Sequence, residues 1–459
     1  MHRPHLTVAG TPAMSTLYDA AMDNLQLNTV DSPSGRFVRA GGGYADPWTR
    51  DASINAWGAA SILEPGVARD TLLRVCDRQQ DGRRIIAQDN QWWDQIIWVI
   101  AAWQHYLVTG DTEFLAEAYQ IGTDSLAILN RDRYRPQFGL YAGGALMQDG
   151  ISGYPQPPNE PGRNSSFVLD YPAARELMCL STNALYSGAH RSLAAMATRL
   201  GADPEPFTAA ADELVRAVND RLWIEETGLY GYFLHADGEI DRHQEAAGLA
   251  LAVTFGVADA DQRERVLSGI HRERYGVVNV WPHFPERYSD ERPGRHNGIC
   301  WPMVMGLFGD AAAQAGRADV LAAVLEDLRA LVQGSDNHFF ELYNATTGAV
   351  DGGWQSGHRW ESLPDQTWSA TAYLRLSHTG LLGARYAADG LRFAPTVPEG
   401  MDRVELTGFP YRGATLDIDV TGTGSGVRAV ALDGSEIAGP AAVPADLTGS
   451  HRVSIRMGD

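Results

Sequence analysis

The chain has 459 residues, 44% hydrophobic and 20% charged, which excludes a disordered protein and leaves room for one large domain or two to three ordinary ones. Acidic residues number 57 against 37 basic ones, every one of them arginine, for a net charge of −20. Such a balance repels phosphate backbones and anionic lipid, so it argues against nucleic acid and membrane surfaces as partners and fits a neutral small ligand.

The first residues, MHRPHLTVAGTPAMST, lack the apolar core of a signal peptide, and no run of about 18 apolar residues is long enough to span a bilayer. A cytoplasmic location is the expectation. Cys76, Cys179 and Cys300 are too few and too scattered for a disulfide framework or a cysteine zinc site.

A short turn carrying Gly, then usually Asp, recurs between helical patterns: Gly110-Asp111, Gly201-Ala202-Asp203-Pro204, Gly256-Val257-Ala258-Asp259 and Gly316-Arg317-Ala318-Asp319, with Glu64-Pro65-Gly66 as a looser fifth case. Gly just past one helix end and Asp as the next N-cap mark a helical hairpin. Long Gly-, Trp- and Pro-rich segments separate the hairpins, at roughly 25–50, 79–91, 131–176, 224–242, 272–300 and 335–365. Between them lie apolar stripes such as Trp93, Ile96, Ile97, Ile100 and Ala101, with Val99 and Trp103 on another face, as expected of a buried helix. About twelve helices result. Hairpins set side by side put all short turns at one end and all long loops at the other. Six of them close into an (α/α)6 barrel whose loops converge on its mouth.

After about Gly383 the period changes to two. Ala414, Leu416, Ile418 and Val420 alternate with polar residues, and Val404/Leu406, Val427/Ala429 and Val453/Ile455 repeat the pattern. The predicted organisation is a mainly α domain over 1–383 and a small all-β, sandwich-like appendage over 384–459.

The loops carry the chemistry. The chain carries 12 Trp and 17 Tyr, and most of the Trp fall near Gly, Asp, Asn or Gln. Flat aromatic faces next to carboxylates and amides suit a sugar, which offers C–H faces and hydroxyls together. Gly41 to Asp51 (GGGYADPWTRD) places Trp48, Arg50 and Asp51 at a helix start. Asp51 as an N-cap paired to Arg50 is the plain structural alternative. Asp89 to Asp94 (DNQWWD) brings Trp93 and Asp94 to the next one, where Asp89 as a cap above a tryptophan core explains the residues nearly as well. Gln148 to Pro155 (QDGISGYP) holds Asp149, a carboxyl that an aromatic setting could tune toward a general acid, although Asp-Gly is also the commonest turn dipeptide. His338 to Gly348 (HFFELYNATTG) sets Glu341 among aromatics, where a buried Arg partner would be the unremarked reading. Trp360-Glu361, ahead of QTWSATAYL, makes Glu361 a rival for any role given to Glu341.

HFFELYNATTG followed by QTWSATAYL resembles the inverting (α/α)6 glycosidases of glycoside hydrolase family 63 and their glycogen-debranching relatives. The resemblance implies Glu341 as the catalytic base. PWTRD is similar to that family's sugar-gripping element, which implies Arg50 and Asp51 on the −1 sugar. His296 to Pro302 (HNGICWP) and Leu180 to Tyr186 (LSTNALY) resemble family elements that open inner helices, bringing in Trp301 and Asn183. The tail, DGLRFAPTVPEGM then YRGATLDIDV, is similar to the β appendage of related glycosidases and phosphorylases. The acid loop departs from the pattern, since Asp149 lies further from Tyr154-Pro155 than in the family's Ser-Gly-x-Asp core.

The resulting expectation is an inverting, exo-acting glycoside hydrolase on an α-linked sugar such as an α-glucoside. Asp149 is its acid and Glu341 its base, about 6.5–9.5 Å apart to admit a water. Trp48, Arg50, Asp51, Trp93, Asp94, Asn183, Trp301, Trp360 and Glu361 contribute to sugar binding, and no metal or cofactor is needed. A phosphorylase, a sugar epimerase using paired histidines and a non-catalytic sugar-binding protein are the rivals.

Overall fold

The computed structural model describes residues 2–87, 91–155, 165–437 and 442–458. Helices dominate residues 12–381 and the short Gly turns join them, but the expected N-caps Asp203 and Asp319 give way to Pro204 and Arg317, neither with a side-chain cap, and Gly66 lies inside the helix Pro65–Arg74. Gly110 and Gly201 end their helices in the left-handed conformation, with φ of 75° and 74°. Asp111 then caps the next helix by accepting from the Phe114 N–H, and Asp259 forms a full capping box with Gln262. Asp89 lies outside the described residues.

Six helical runs are buried almost all round. They are Thr49–Asn55 continued through Ala56–Ala60 and Ser61–Leu63, Trp92–Gln95 with Ile97–Thr109, Leu180–Leu200, Ala246–Thr254, Pro302–Gln314, and Thr367–Arg375 continued through Leu376–Leu381. Each packs on the next, and the last packs back on the first. Small residues set the closest approaches: a Cβ on Gly58 would meet Thr371 at 2.3 Å, and one on Gly306 would meet Ala372 at 2.4 Å. Outside this ring lie Pro65–Arg74, Thr112–Arg133, Glu205–Leu222, Ala260–Gly269 and Ala318–Gln333, each against the inner helix next to it in the chain. The sixth outer helix is the first in the chain, Pro12–Leu27, which packs on the last inner one. Tyr18 bonds His378 at 2.8 Å, and the Tyr373 hydroxyl donates to the Met14 carbonyl at 2.8 Å, so the two ends of the helical segment are tied together.

The C-terminal segment is β, as its period predicts. Its main sheet runs Arg403–Tyr411, Gly413–Thr421, Thr448–Met457, Val427–Leu432 and Ser435–Glu436, and a smaller sheet joins Ala384–Ala387, Gly390–Phe393 and Ala442–Pro444. Ala414, Leu416, Ile418 and Val420 all point inward. Two features were not legible in the sequence. The N-terminal residues His5–Val8 add an edge strand antiparallel to Arg403–Tyr411, so this sheet draws on both chain ends. A register shift between Val427 and Ala429 reverses the phase of that strand, burying Val430 and leaving Val427 38% exposed, contrary to the expected Val427/Ala429 face.

Candidate active site

A cavity of about 210 Å³ opens at the end of the inner ring where the long loops gather. Its size, below the ~300–1,000 Å³ of clefts that take drug-sized ligands, suits a single sugar ring. Aromatic walls come from Tyr44, Trp48, Phe167, Trp301, Trp360 and Trp368. Between them Arg50, Asp51, Asp149, Arg295 and Glu341 reach the same space.

Arg50 organises one side. It is the second residue of its helix, whose N-cap position is Trp48, so Asp51 does not cap. One guanidinium faces three carboxylates: Asp149 at 3.0 Å, Asp94 at 3.6 Å and Asp51 at 3.9 Å. Gln91 bridges, accepting from Arg50 and donating to Asp149 at 3.2 Å. Burial pushes the Asp51 and Asp94 carboxyls up to about 7, against the pull of Arg50. Asp94 also accepts from the Met147 N–H at 3.1 Å, which fixes the segment leading to Asp149. Met147 there has φ of 59°, a strained conformation for a long side chain, of the kind that persists where the surroundings over-determine it. Gly150 is required by close packing rather than by a turn: a Cβ would lie 2.2 Å from Gln355 and 2.5 Å from His296. Burial pushes the His296 imidazole down to about 3, so a neutral ring faces Asp149 at 3.7 Å.

Glu341 organises the other side. Its carboxylate accepts from Arg295 at 2.5 Å and from the Tyr44 hydroxyl at 3.3 Å. Burial first, and the Glu341 charge second, keep the Tyr44 hydroxyl protonated and donating. Arg295 is itself locked, donating to the carbonyls of Gly352 and Glu361 at 3.1 Å each, with Trp301 and Trp360 under its plane. The predicted alternative of a Glu paired to a buried Arg is therefore present, but the pair lines the cavity.

Seven expected residues meet in or against this cavity: Trp48, Arg50, Asp51, Asp149, Trp301, Glu341 and Trp360. Asp94 stands behind it, in contact through Arg50. Three lie elsewhere. Trp93 is fully buried edge-on against Trp92, under Gly144. Asn183 uses its amide on the Tyr141 N–H and the Tyr141 and Cys179 carbonyls, which leaves it nothing for a sugar. Glu361 is exposed and meets the site only through its backbone carbonyl. Sequence reasoning passed over Tyr44, Arg295, His296, Gln355 and Glu245. Arg295 stands one residue before the HNGICWP motif, so the motif's edge was the available signal. Glu245, pushed up to about 8 by burial, accepts from the Ser181 N–H at 3.1 Å beneath the site.

The raised acids have a measurable consequence. Asp51 and Asp94 titrate near 7 in the fold against an ordinary 3.8, so the folded protein binds more protons than the open chain between those values. Their contribution to stability therefore falls as pH rises from about 4 to about 7. A melting-temperature series from pH 5 to 8 should show a decline that Asp51→Asn/Asp94→Asn flattens; an unchanged slope in the double variant would contradict it.

Residues 44–369 match the family model of the mannosylglycerate hydrolase MGH1-like glycoside hydrolase domain. The chain belongs to the MGH1-like glycoside hydrolases. This hydrolase carries a second match over residues 384–438, to the C-terminal domain of glycosyl hydrolase family 65. Solved structures agree on the fold. A GH63 mannosylglycerate hydrolase from Thermus thermophilus in complex with glucose superposes with a TM-score of 0.59 at 19% identity, over 79% of this chain and 99% of that one. A GH78 family rhamnosidase of Bacillus sp. GL1 gives 0.57 at 18% identity, over 92% of this chain and 42% of that one. A structure titled sialidase gives 0.72 at 17% identity, over 94% of this chain; the MGH1-like hydrolase spans 40% of that chain's length. A comparison with curated protein sequences gives no match. Among the described residues no helix is long and apolar enough to cross a membrane, and no group of three His, Cys, Asp or Glu could hold a metal ion.

Proposed function

We propose that this hydrolase is exo-acting and inverting, removing one α-linked sugar, such as an α-glucosyl unit, from a small glycoside. The carrying observation is a single-ring cavity that presents Asp149 and Glu341 from separate loops. Glu341 is the base: hydrogen bonds from Arg295 and Tyr44 fix its carboxyl in place to deprotonate a water. Asp149 is the acid. Its side chain is 31% exposed against 6% for Glu341, so it can reload a proton from bulk water on the side where the aglycone leaves. Arg50 and Gln91 donate to its carboxyl at 3.0 and 3.2 Å and fix its position beside the cavity. Trp48, Trp301 and Trp360 supply stacking faces, and no metal or cofactor enters this scheme.

The closed succession of six inner helices supports the (α/α)6 barrel as its scaffold, with residues 1–383 as the catalytic unit and 384–459 as the β appendage, completed by the strand His5–Val8. The family description adds mannosylglycerate to the substrates worth testing. Anomeric proton NMR over α-glucosides, α-mannosides and mannosylglycerate, with and without phosphate, tests the reading. The expected product is a free sugar of inverted configuration, independent of phosphate. Retained configuration or a sugar phosphate would overturn it.

A further inference from the structure

The inner ring has a second opening. At the short-turn end lies a cavity of about 510 Å³, on the side of the helices opposite the catalytic loops. All six inner runs reach it, through Trp57, Trp103, Arg191, Thr254, Gln314 and Thr379, and Ala384 to Tyr386 close one side.

Its floor is aromatic. Trp57 stacks with Phe255 at 5.9 Å and 20°, and the Arg375 guanidinium lies 4.0 Å from the Trp57 ring centre. Trp103 stacks on Tyr106 at 5.3 Å and remains half-buried, keeping part of its face toward the cavity. The aromatic walls thus stay in place without help from a ligand.

The three arginines on its walls are each engaged by protein groups. Arg375 pairs with Asp310 at 2.7 Å, and Arg191 with Asp212 at 3.3 Å. Arg385 is turned onto the Thr379 and Ala384 carbonyls. Gln314 donates one amide hydrogen to Asp310 at 2.9 Å, which orients its carbonyl oxygen away from that carboxylate. Gln104, half-buried on the same wall, adds a second amide. Rigid aromatic faces, arginines already held by protein groups and amides at the rim suit a ligand that is neutral, has an apolar face and carries several hydroxyls.

We propose that this cavity is a second, non-catalytic site for a neutral carbohydrate of one or two rings. It shares no lining residue with the catalytic cavity, so the two can fill independently.

The test uses the full chain labelled with 5-fluorotryptophan and titrated with glucose, mannose and maltose, the last on a Glu341→Gln background to prevent turnover. Trp57→Phe and Trp103→Phe assign the two fluorine signals. The expected result is saturable movement of the Trp103 and Trp57 signals with a midpoint different from that of Trp48 and Trp360. Gln104→Ala/Gln314→Ala should raise the far midpoint by about tenfold or more and leave hydrolysis unchanged. Static Trp103 and Trp57 signals with all three sugars would overturn the proposal. So would movement that tracks the Trp48 signal and ignores the two glutamine changes.

Discussion

Glu341→Gln should lower kcat by about 10²–10⁴-fold, the range for loss of a positioned general base, while leaving the fold intact. The amide keeps the shape of the carboxyl. Its oxygen can still accept from Arg295, and its NH₂ can donate to the Tyr44 hydroxyl. What it loses is the capacity to take a proton from water. Melting temperature should drop in either case because buried Arg295 loses its anion, but if Glu341 served only to neutralise Arg295, turnover by the folded fraction would survive. Measuring kcat and melting temperature on the same preparation separates the two. A variant with near-normal kcat would remove Glu341 from the chemistry.

Arg375→Leu should cost about 3–5 kcal/mol of stability, because it strands Asp310 without its cation inside the helical ring. The side chains are 10% and 1% exposed, so water cannot take over. Burial pushes the Asp310 carboxyl up, but Arg375 and Arg385, with the Thr379 hydroxyl, outweigh it and hold the group below its ordinary 3.8. A depressed folded value means that the contribution is present above pH about 4 and is lost as pH falls through that lower value. Urea unfolding at pH 7 and pH 3 should therefore show a large gap between wild type and variant that narrows in acid. Adding Asp310→Leu to Arg375→Leu should recover part of the loss at pH 7, since removing both charges leaves none stranded. An equal gap at both pH values would contradict the assignment.

The hairpin rhythm was readable because it rests on local rules: a left-handed Gly ends a helix, Asp111 and Asp259 cap the next, and neither needs distant partners. Glu341 and Arg50 were readable for another reason, since their motifs carry a family resemblance. Asn183 and Trp93 mark where this fails. Both sit in motifs at the start of inner helices, yet one is consumed by backbone groups of residues 141 and 179 and the other faces a neighbouring ring. Which way a first-turn side chain turns depends on packing from other hairpins. Arg295 was missed because its importance comes from Glu341, 46 residues away. The edge strand His5–Val8 was missed because its partner lies at the opposite end of the chain.

All six inner helices point the same way. Their first turns hold Arg50 and Asp51, Asp94, Ser181 and Thr367 near the catalytic end, and their later turns hold Trp57, Trp103, Arg191, Asp310 and Arg375 at the other. Six parallel helix dipoles therefore place their positive ends together under the catalytic cavity, each equivalent to roughly half a charge. Asp51, Asp94 and Glu245, each in or beside a first turn, lie in that field, which offsets part of the cost of gathering so many acids in one place. The opposite end collects the negative poles, where Arg191, Arg375 and Arg385 stand against them. The ring is thus an electrically polar body. Its orientation lets one mouth concentrate the carboxylates that a positive charge on an anomeric carbon requires.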